Sequence, residues 1–272
     1  MRKLFTFILL CACALAWATD YSVATDSELR AAIQNNNANI TVTADIDLSN
    51  STLSIPKNST VTINLNGHKL DRKLTQRGEG GGQVITVRQG ATLNLSNGTL
   101  KGGWGGAGGA LVNEGGTVTI TNVIMTNNVA DDRGGGICNR NGGVLTMTNC
   151  TITDNHSNDH SGAKGGGGFF NEENATATLT GVTITGNTAE EKGGGGICNF
   201  GTLTLDGCTI QNNAAITNGG GIWQEGTLNV QGANIVTGNT TVDNKPKNLF
   251  LKTGALLTVT GSLAGSTILV DM

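Results

Sequence analysis

The sequence has 272 residues, a formal net charge of −3, and 42 glycines but only 2 prolines. Collagen is excluded, because it needs glycine at every third position together with much proline. About 30 asparagines and nearly 40 threonines accompany the glycines, and this composition is typical of an all-β chain with frequent tight turns.

Residues 1–18 are predicted to be a signal peptide. Arg2 and Lys3 form a basic start, an apolar run follows, and Ala16-Trp17-Ala18 has the pattern of a cleavage site. Lipidation at Cys13 is the less favoured alternative, because apolar residues rather than a polar tether follow that cysteine. We therefore expect a secreted or surface-exposed protein.

The mature chain offers no sign of a nucleic-acid or membrane partner. Removal of residues 1–18 leaves 15 basic and 20 acidic residues, a formal charge of −5, and no basic tract remains. No later segment approaches the roughly 20 apolar residues of a membrane span. The sequence therefore predicts no integral membrane segment in the mature chain and no cofactor.

Residues 19–39 are predicted to form an N-terminal cap with a short helix. Thr25 and Glu28 have the spacing of a capping box, and Leu29, Ala32 and Ile33 share one helix face. Less regular alternating segments follow at 40–48, 61–65, 84–87 and 92–95. Their period is that of half-buried strands.

The clearest feature is a repeat over residues 108–247. Glycine-rich starts recur at 108, 134, 166, 194 and 219, and successive starts are 26, 32, 28 and 25 residues apart. A period in this range is the signature of a solenoid, in which each unit buries its apolar side only by stacking on its neighbours.

Overlaying the repeats produces columns of like residues. Two apolar columns are predicted to point inward: Leu111, Ile137, Phe169, Ile197, Ile222; and Met125, Ile152, Ile184, Ile210, Ile235. Two asparagine columns are predicted to form hydrogen-bonded ladders: Asn113, Asn139, Asn171, Asn199; and Asn128, Asn155, Asn187, Asn213. The pattern predicts an all-β, single-stranded parallel β-helix over residues 40–272. It should have about nine coils and a length of roughly 40 Å at 4.8 Å per coil.

The units GGGICN…LTMTNCTITDN and GGGGICN…LTLDGCTIQNN resemble repeats of right-handed parallel β-helix proteins of the pectin-lyase-like class. They are particularly similar to the chlamydial polymorphic outer-membrane proteins, whose GGA(I/L/V) motif is matched at residues 108–111. The companion FxxN motif is absent, and residues 169–171 only approximate it. The resemblance implies a right-handed coil.

Variable loops between the second asparagine and the next glycines are predicted to fall on one edge of the rod. We call this edge the loop stripe and expect it to bind ligand, since loops carry function on a rigid scaffold. Its candidate residues are Asp131, Asp132, Arg133, Asp154, His156, Asp159, His160, Lys164, Glu190 and Glu191.

Two further chemistries stay open for the loop stripe. Calcium or another metal would use carboxylate and imidazole ligands, and the candidates are Asp154, His156, Asp159 and His160. The resemblance also implies polysaccharide lyases, or glycoside hydrolases with paired carboxylates. Asp131 and Asp132 are adjacent, but neighbouring residues on a strand point to opposite faces.

The mature cysteines occur in two repeats, which permits disulfides Cys138–Cys150 and Cys198–Cys208 in an oxidising compartment. Buried apolar thiols are the alternative. Phe170 and Trp223, which share the column of Cys138 and Cys198, are predicted to be covered by loop residues. Outward threonine columns, such as Thr117 and Thr119, resemble the T-x-T arrays of ice-binding solenoids or a glycan-binding face.

These patterns favour an adhesin-like binding scaffold whose partner is a glycan or a host-surface protein. The alternatives are a polysaccharide lyase or glycoside hydrolase, and a spacer module of a longer surface protein. The apolar residues 268–270 also favour end-to-end self-association.

Overall fold

The computed structural model describes residues 18–49, 51–75, 82–158, 165–190 and 193–271. The predicted signal peptide up to residue 17 therefore lies outside the described residues. Cys13 belongs to that segment, and four candidate residues of the predicted binding edge, Asp159, His160, Lys164 and Glu191, also lie outside the described residues.

The described chain contains one helix, α1 (Asp26–Ala32), and a series of short strands. The first strands in chain order are β1 (Thr19–Val23), β2 (Ala38–Val42), β3 (Ile46–Asp47), β4 (Leu53–Ile55), β5 (Thr60–Asn64), β6 (Lys69–Asp71), β7 (Ile85–Val87), β8 (Thr92–Lys101), β9 (Trp104–Ala107), β10 (Leu111–Glu114), β11 (Thr117–Thr126), β12 (Val129–Arg133), β13 (Ile137–Arg140), β14 (Val144–Thr148), β15 (Thr151–Thr153), β16 (His156–Ser157) and β17 (Gly165–Gly166). They are followed by β18 (Phe169–Asn171), β19 (Thr176–Thr180), β20 (Thr183–Thr185), β21 (Thr188–Ala189), β22 (Gly193–Gly194), β23 (Ile197–Asn199), β24 (Thr202–Asp206), β25 (Thr209–Gln211), β26 (Ala214–Ala215), β27 (Ile222–Gln224), β28 (Thr227–Gln231), β29 (Ile235–Thr237), β30 (Thr240–Thr241), β31 (Leu249–Leu251), β32 (Leu256–Val259), β33 (Thr267–Ile268) and β34 (Val270–Asp271).

The strands stack in parallel into three long sheets. Sheet A has 17 strands, sheet B has nine (β4-β7-β10-β13-β18-β23-β27-β31-β34), and sheet C has six (β9-β12-β16-β21-β26-β30). The result is a parallel β-solenoid of about eight turns. Only 3% of the residues are helical. The predicted fold class is confirmed, with about one coil fewer than expected.

Equivalent residues of successive coils lie over one another. In sheet B, Ile137 pairs with Leu111 on one side and with Phe169 on the other, and Phe169 pairs in turn with Ile197. All four are fully buried. Because side chains alternate between the two faces of a strand, this register fixes which residues fill the interior.

The second apolar column was predicted one residue out of register at its end. Ile210 pairs with Val236, and Cys208 N donates to Asn234 Oδ1 at 2.9 Å, so Ile235 is not the stacked residue. Val236 is fully buried. The extra residue of this coil is inserted before residue 234 rather than after 235, and a one-residue shift exchanges the buried and exposed side chains.

The N-terminal segment contains the predicted short helix and, in addition, a strand. Helix α1 has the expected capping box between Thr25 and Glu28, and Leu29, Ala32 and Ile33 are buried. Strand β1, however, pairs along its length with β2 and already belongs to sheet A. The helix therefore lies in the chain between two paired strands of the stack.

Both asparagine columns form buried ladders. In the first, each Nδ2 donates to the next Oδ1 at 2.8–3.0 Å from Asn113 to Asn199, and Asn199 donates to Gln224 Oε1. The second ladder runs from Asn128 through Asn239 and ends on Asn248. Side chains of the second ladder also accept from backbone N–H groups of the preceding coil. Polar groups at the bends are thereby satisfied inside the core.

We expect Asn155→Ala to lower the free energy of unfolding by about 3 kcal/mol or more. Asn155 accepts from the N and Nδ2 of Asn128 and donates to Asn187 Oδ1 and Met125 O, and each buried group left unpaired costs roughly 1–3 kcal/mol. Urea unfolding measures the change. Thr119→Ala, on the exposed side of sheet A, is the control and should change stability by less than about 0.5 kcal/mol. Equal effects of the two substitutions would refute the ladder's role.

Of the two alternatives for the cysteines, the structure has the buried thiols: Cys138, Cys150, Cys198 and Cys208 are all free and buried. Cys150 and Cys208 belong to the inner core, whereas Cys138 and Cys198 pack in a second apolar cluster outside sheet B. Each predicted pair is therefore divided between two clusters, and the cysteines act as small apolar residues.

Native protein should not react with thiol reagents, because burial raises the pKa of Cys138 to about 12 and also raises the pKa of Cys150 and Cys208. After denaturation without reductant, a chain starting at Thr19 should take up four alkyl groups, as measured by mass spectrometry. If the denatured chain takes up alkyl groups only after a reductant is added, the cysteines are disulfide-bonded and the assignment as free thiols is wrong.

Within the described ranges, no helix has the length and hydropathy needed to cross a membrane. The last turn of the solenoid presents apolar side chains to solvent, since Leu256, Val259 and Val270 are about half exposed. End-to-end self-association stays a prediction.

Candidate functional site

The described part of the loop stripe lies along sheet C. Asp131, Asp132 and Arg133 end β12, His156 begins β16, and Glu190 follows β21. These strands are in register, since Val129 pairs with His156 and His156 with Thr188. The coils therefore present these residues along one edge, about 5 Å apart per coil.

The carboxylates of this edge have separate partners. Glu190 Oε1 lies 3.1 Å from His156 Nε2, and Asp131 Oδ1 accepts from Trp104 Nε1 at 2.9 Å. Among the residues that the structure describes, no three His, Cys, Asp or Glu side chains are grouped as a metal site. Asp159 and His160, on which the metal interpretation depends, lie outside those residues.

Asp154 has a structural role in the turn. Its φ of 55° is left-handed, and it shares this conformation with the equivalent residues Asn127, Gly186 and Asn212. Asparagine, aspartate and glycine tolerate this region better than other residues. The residue type at this position is therefore explained by backbone geometry.

Arg133 is directed away from the loop stripe and towards sheet B. Its guanidinium carbon lies 5.2 Å from the centroid of the Phe170 ring, and its Nη1 is 3.7 Å from Glu172 Oε1. A cation over an aromatic face gains electrostatic attraction from the ring. Arg133, which was predicted to belong to the loop stripe, therefore belongs to a different surface.

That surface is built on an apolar cluster outside sheet B, formed by Val112, Cys138, Phe170, Cys198 and Trp223. Phe170 is 3% and Trp223 7% exposed, so both are covered, as predicted. The glycine-rich runs leave no room for side chains here: a Cβ at Gly194 would overlap the carbonyl oxygen of Ile197. The repeated glycines thus permit close packing of each coil on itself.

Next to this cluster runs a column that the sequence analysis missed. We call it the charged column. It consists of the residues that follow the first ladder and that follow Val87 and Leu251, which pair with its two ends. Its members are Arg88, Glu114, Arg140, Glu172, Phe200, Glu225 and Lys252. Its first four members alternate in sign from coil to coil. The alternation of charge could have been read from the aligned repeats, at the position that follows Asn113, Asn139, Asn171 and Asn199.

Glu114 bridges two arginines of the charged column. Its Oε2 accepts from Arg88 Nη1 at 2.8 Å and its Oε1 from Arg140 Nη2 at 2.5 Å. Burial by itself raises the pKa of Glu114, but the hydrogen bonds and charges of Arg140 and Arg88 outweigh it and hold the pKa below its ordinary value. The three side chains cross-link successive coils on the outside.

Further along the column, Phe200 borders a groove of about 260 Å³ lined by Arg133, Phe170, Glu172, Glu173 and Phe200. We call it the Phe200 groove. The Phe200 ring is half-buried and lies 5.6 Å from the Phe170 ring, centroid to centroid. An apolar floor with charged side chains around it is the usual composition of a ligand site.

Sheet A presents uncharged hydroxyl groups where sheet B presents charged and aromatic side chains. Its residues Thr119, Thr146, Thr178 and Thr204 stack in consecutive coils. The predicted threonine columns therefore line up on one sheet. Asn94 and Asn229 continue this column at its two ends.

A family model described as a right-handed β-helix region matches residues 81–268. The match includes the charged column from Arg88 to Lys252 and the described part of the loop stripe. No curated protein and no solved structure matches the chain.

Glu114→Gln should lower the free energy of unfolding by about 1–2 kcal/mol at pH 7. Because the pKa of folded Glu114 is depressed, its stabilisation is complete above the ordinary value of 4.5 and is lost as the pH falls through the folded value. Urea midpoints at a series of pH values should therefore converge below pH 4.5. Glu173→Gln is the control, and a gap between wild type and Glu114→Gln that is independent of pH would contradict the ion-pair account.

Proposed function

Because the chain belongs to the right-handed β-helix family, we propose that it is an adhesin-like binding scaffold, secreted or surface-exposed, that recognises a glycan. The single observation that carries this proposal is the Phe200 groove. It combines a partly exposed aromatic ring with an arginine and two glutamates on a rigid sheet.

The chemistry of this groove suits a sugar. Pyranose rings have an apolar C–H face that packs against an aromatic side chain, while their hydroxyl groups need donors and acceptors at the ring edge. Phe200 supplies the first, and Arg133, Glu172 and Glu173 supply the second. Arg133 is held over Phe170 and near Glu172, so part of the site is organised before a ligand arrives.

Among the described residues of the loop stripe, the bonding of Asp131 and Glu190 favours binding over hydrolysis. Glycoside hydrolysis requires two carboxyl groups about 5–10 Å apart on either side of the scissile bond. Asp131 is engaged by Trp104, and Glu190 by His156. Each of these two carboxylates is therefore bonded to a side chain of a neighbouring coil.

A glycan array with the folded mature chain tests the proposal. We expect binding to a defined glycan set, and Phe200→Ala should weaken it at least about tenfold, because an aromatic contact contributes roughly 1.5 kcal/mol. Phe200→Tyr, which keeps the ring, should retain binding. Thr119→Ala on sheet A is the matched surface control and should bind like wild type.

The same experiment separates the alternatives. Release of unsaturated or reducing-end products from any polysaccharide, abolished by Asp131→Ala, would replace the proposal by an enzyme. Glycan binding that is insensitive to Phe200→Ala would overturn the assignment of the groove. Absence of glycan binding together with capture of a host-surface protein would shift the ligand class to protein, and absence of both would favour a spacer module.

A further inference from the structure

A second groove lies on the same face, at the other end of the alternating part of the charged column. It has a volume of about 450 Å³ and is lined by Lys57, Arg88, Gln89, Glu114 and Asn141. We call it the Arg88 groove. Side-chain amides and charged groups dominate its lining, so its ligand must be polar.

This groove carries excess positive charge. Glu114, its carboxylate, is already bridged by Arg88 and by Arg140 from the next coil. Glu172, the nearest further acid of the column, accepts from Asn141 N at 2.9 Å and pairs with Arg133. Two cationic side chains, Lys57 and Arg88, therefore line the groove beside one carboxylate, Glu114, which Arg140 also neutralises from outside the lining.

The cations retain capacity for another acceptor. Arg88 uses Nε for Ser54 Oγ and Nη1 for Glu114, and its Nη2 makes no hydrogen bond to the described residues. Arg88 is about half exposed and Lys57 is exposed. Guanidinium and ammonium groups form short, strong hydrogen bonds to oxyanions.

We propose that the Arg88 groove binds an anionic substituent, a sulfate, phosphate or carboxylate, carried by a glycan that also occupies the Phe200 groove. The inference rests on the proposed function and names its ligand class. Arg88 and Phe200 are four coils apart in register, or about 19 Å. An extended chain running along the rod axis reaches both.

Contact between the two grooves is direct. Asn141 lines the Arg88 groove, and its backbone N–H donates to Glu172, which lines the Phe200 groove. The two ends of the face differ in chemistry, since Lys57 and Arg88 line one groove and Phe200 the other. The anionic group is placed at the Lys57 end, and the neutral sugar ring at the Phe200 end.

Isothermal titration of the mature chain with a heparin-derived octasaccharide and with its fully desulfated counterpart tests the inference. We expect the sulfated probe to bind at least about tenfold more tightly, with an affinity that falls as salt increases. Lys57→Gln and Arg88→Gln should each weaken binding of the sulfated probe about threefold or more and leave the desulfated probe unaffected. Inorganic sulfate should compete only weakly if the sugar chain contributes affinity.

Lys69→Gln is the matched control, since Lys69 lies on sheet A and pairs with Asp45. Equal affinity for the two probes, or no effect of Lys57→Gln and Arg88→Gln, overturns the inference. Competition by inorganic sulfate as strong as by the octasaccharide would reduce the site to a free-anion site and also overturn it. A desulfated probe that binds through Phe200 while sulfation has no effect would leave the proposed function standing, so the two failures are distinguishable.

Discussion

The structure depends on one constraint, the stacking of equivalent residues in successive coils at about 4.8 Å. Parallel backbone pairing sets this spacing, and the two buried asparagine ladders fix the register at the bends, where the strand pairing is interrupted. A ladder amide reaches its neighbour only when the two coils are in register. Local sequence changes are therefore absorbed in the turns and loops.

Register converts each repeated position into a column with its own chemistry. Inward columns such as Ile137 and Phe169 make the core, threonines make one face of sheet A, and the charged column makes one face of sheet B. Because the coils cannot slide, ion pairs such as those of Glu114 form between residues 26 positions apart in sequence. A rigid, sided rod follows, and both proposed grooves are properties of its columns.

The fold was predictable because the alternating pattern recurs in every clear repeat, with asparagine in both ladder columns except at Gln224. Ile235 was assigned wrongly because the overlay alone does not say on which side of residue 234 the extra residue is absorbed. The disulfides stayed open because the overlay assigns Cys138 and Cys150 to different columns without showing whether their side chains meet, and in the structure they lie in separate clusters. The two grooves were missed for a different reason: Arg88, Glu114 and Arg140 look like unrelated surface charges until the coils are stacked.

A pulsed-EPR distance between spin labels on Thr62→Cys and Asn229→Cys tests the stacking most directly. The two positions are joined by six steps of register along one column of sheet A, and the four buried native cysteines should stay unlabelled. The account predicts one narrow distance near about 29 Å between the label sites, from six spacings of 4.8 Å. A broad distribution, or a distance far from this value, would contradict the stacked register and with it every face assigned to the rod.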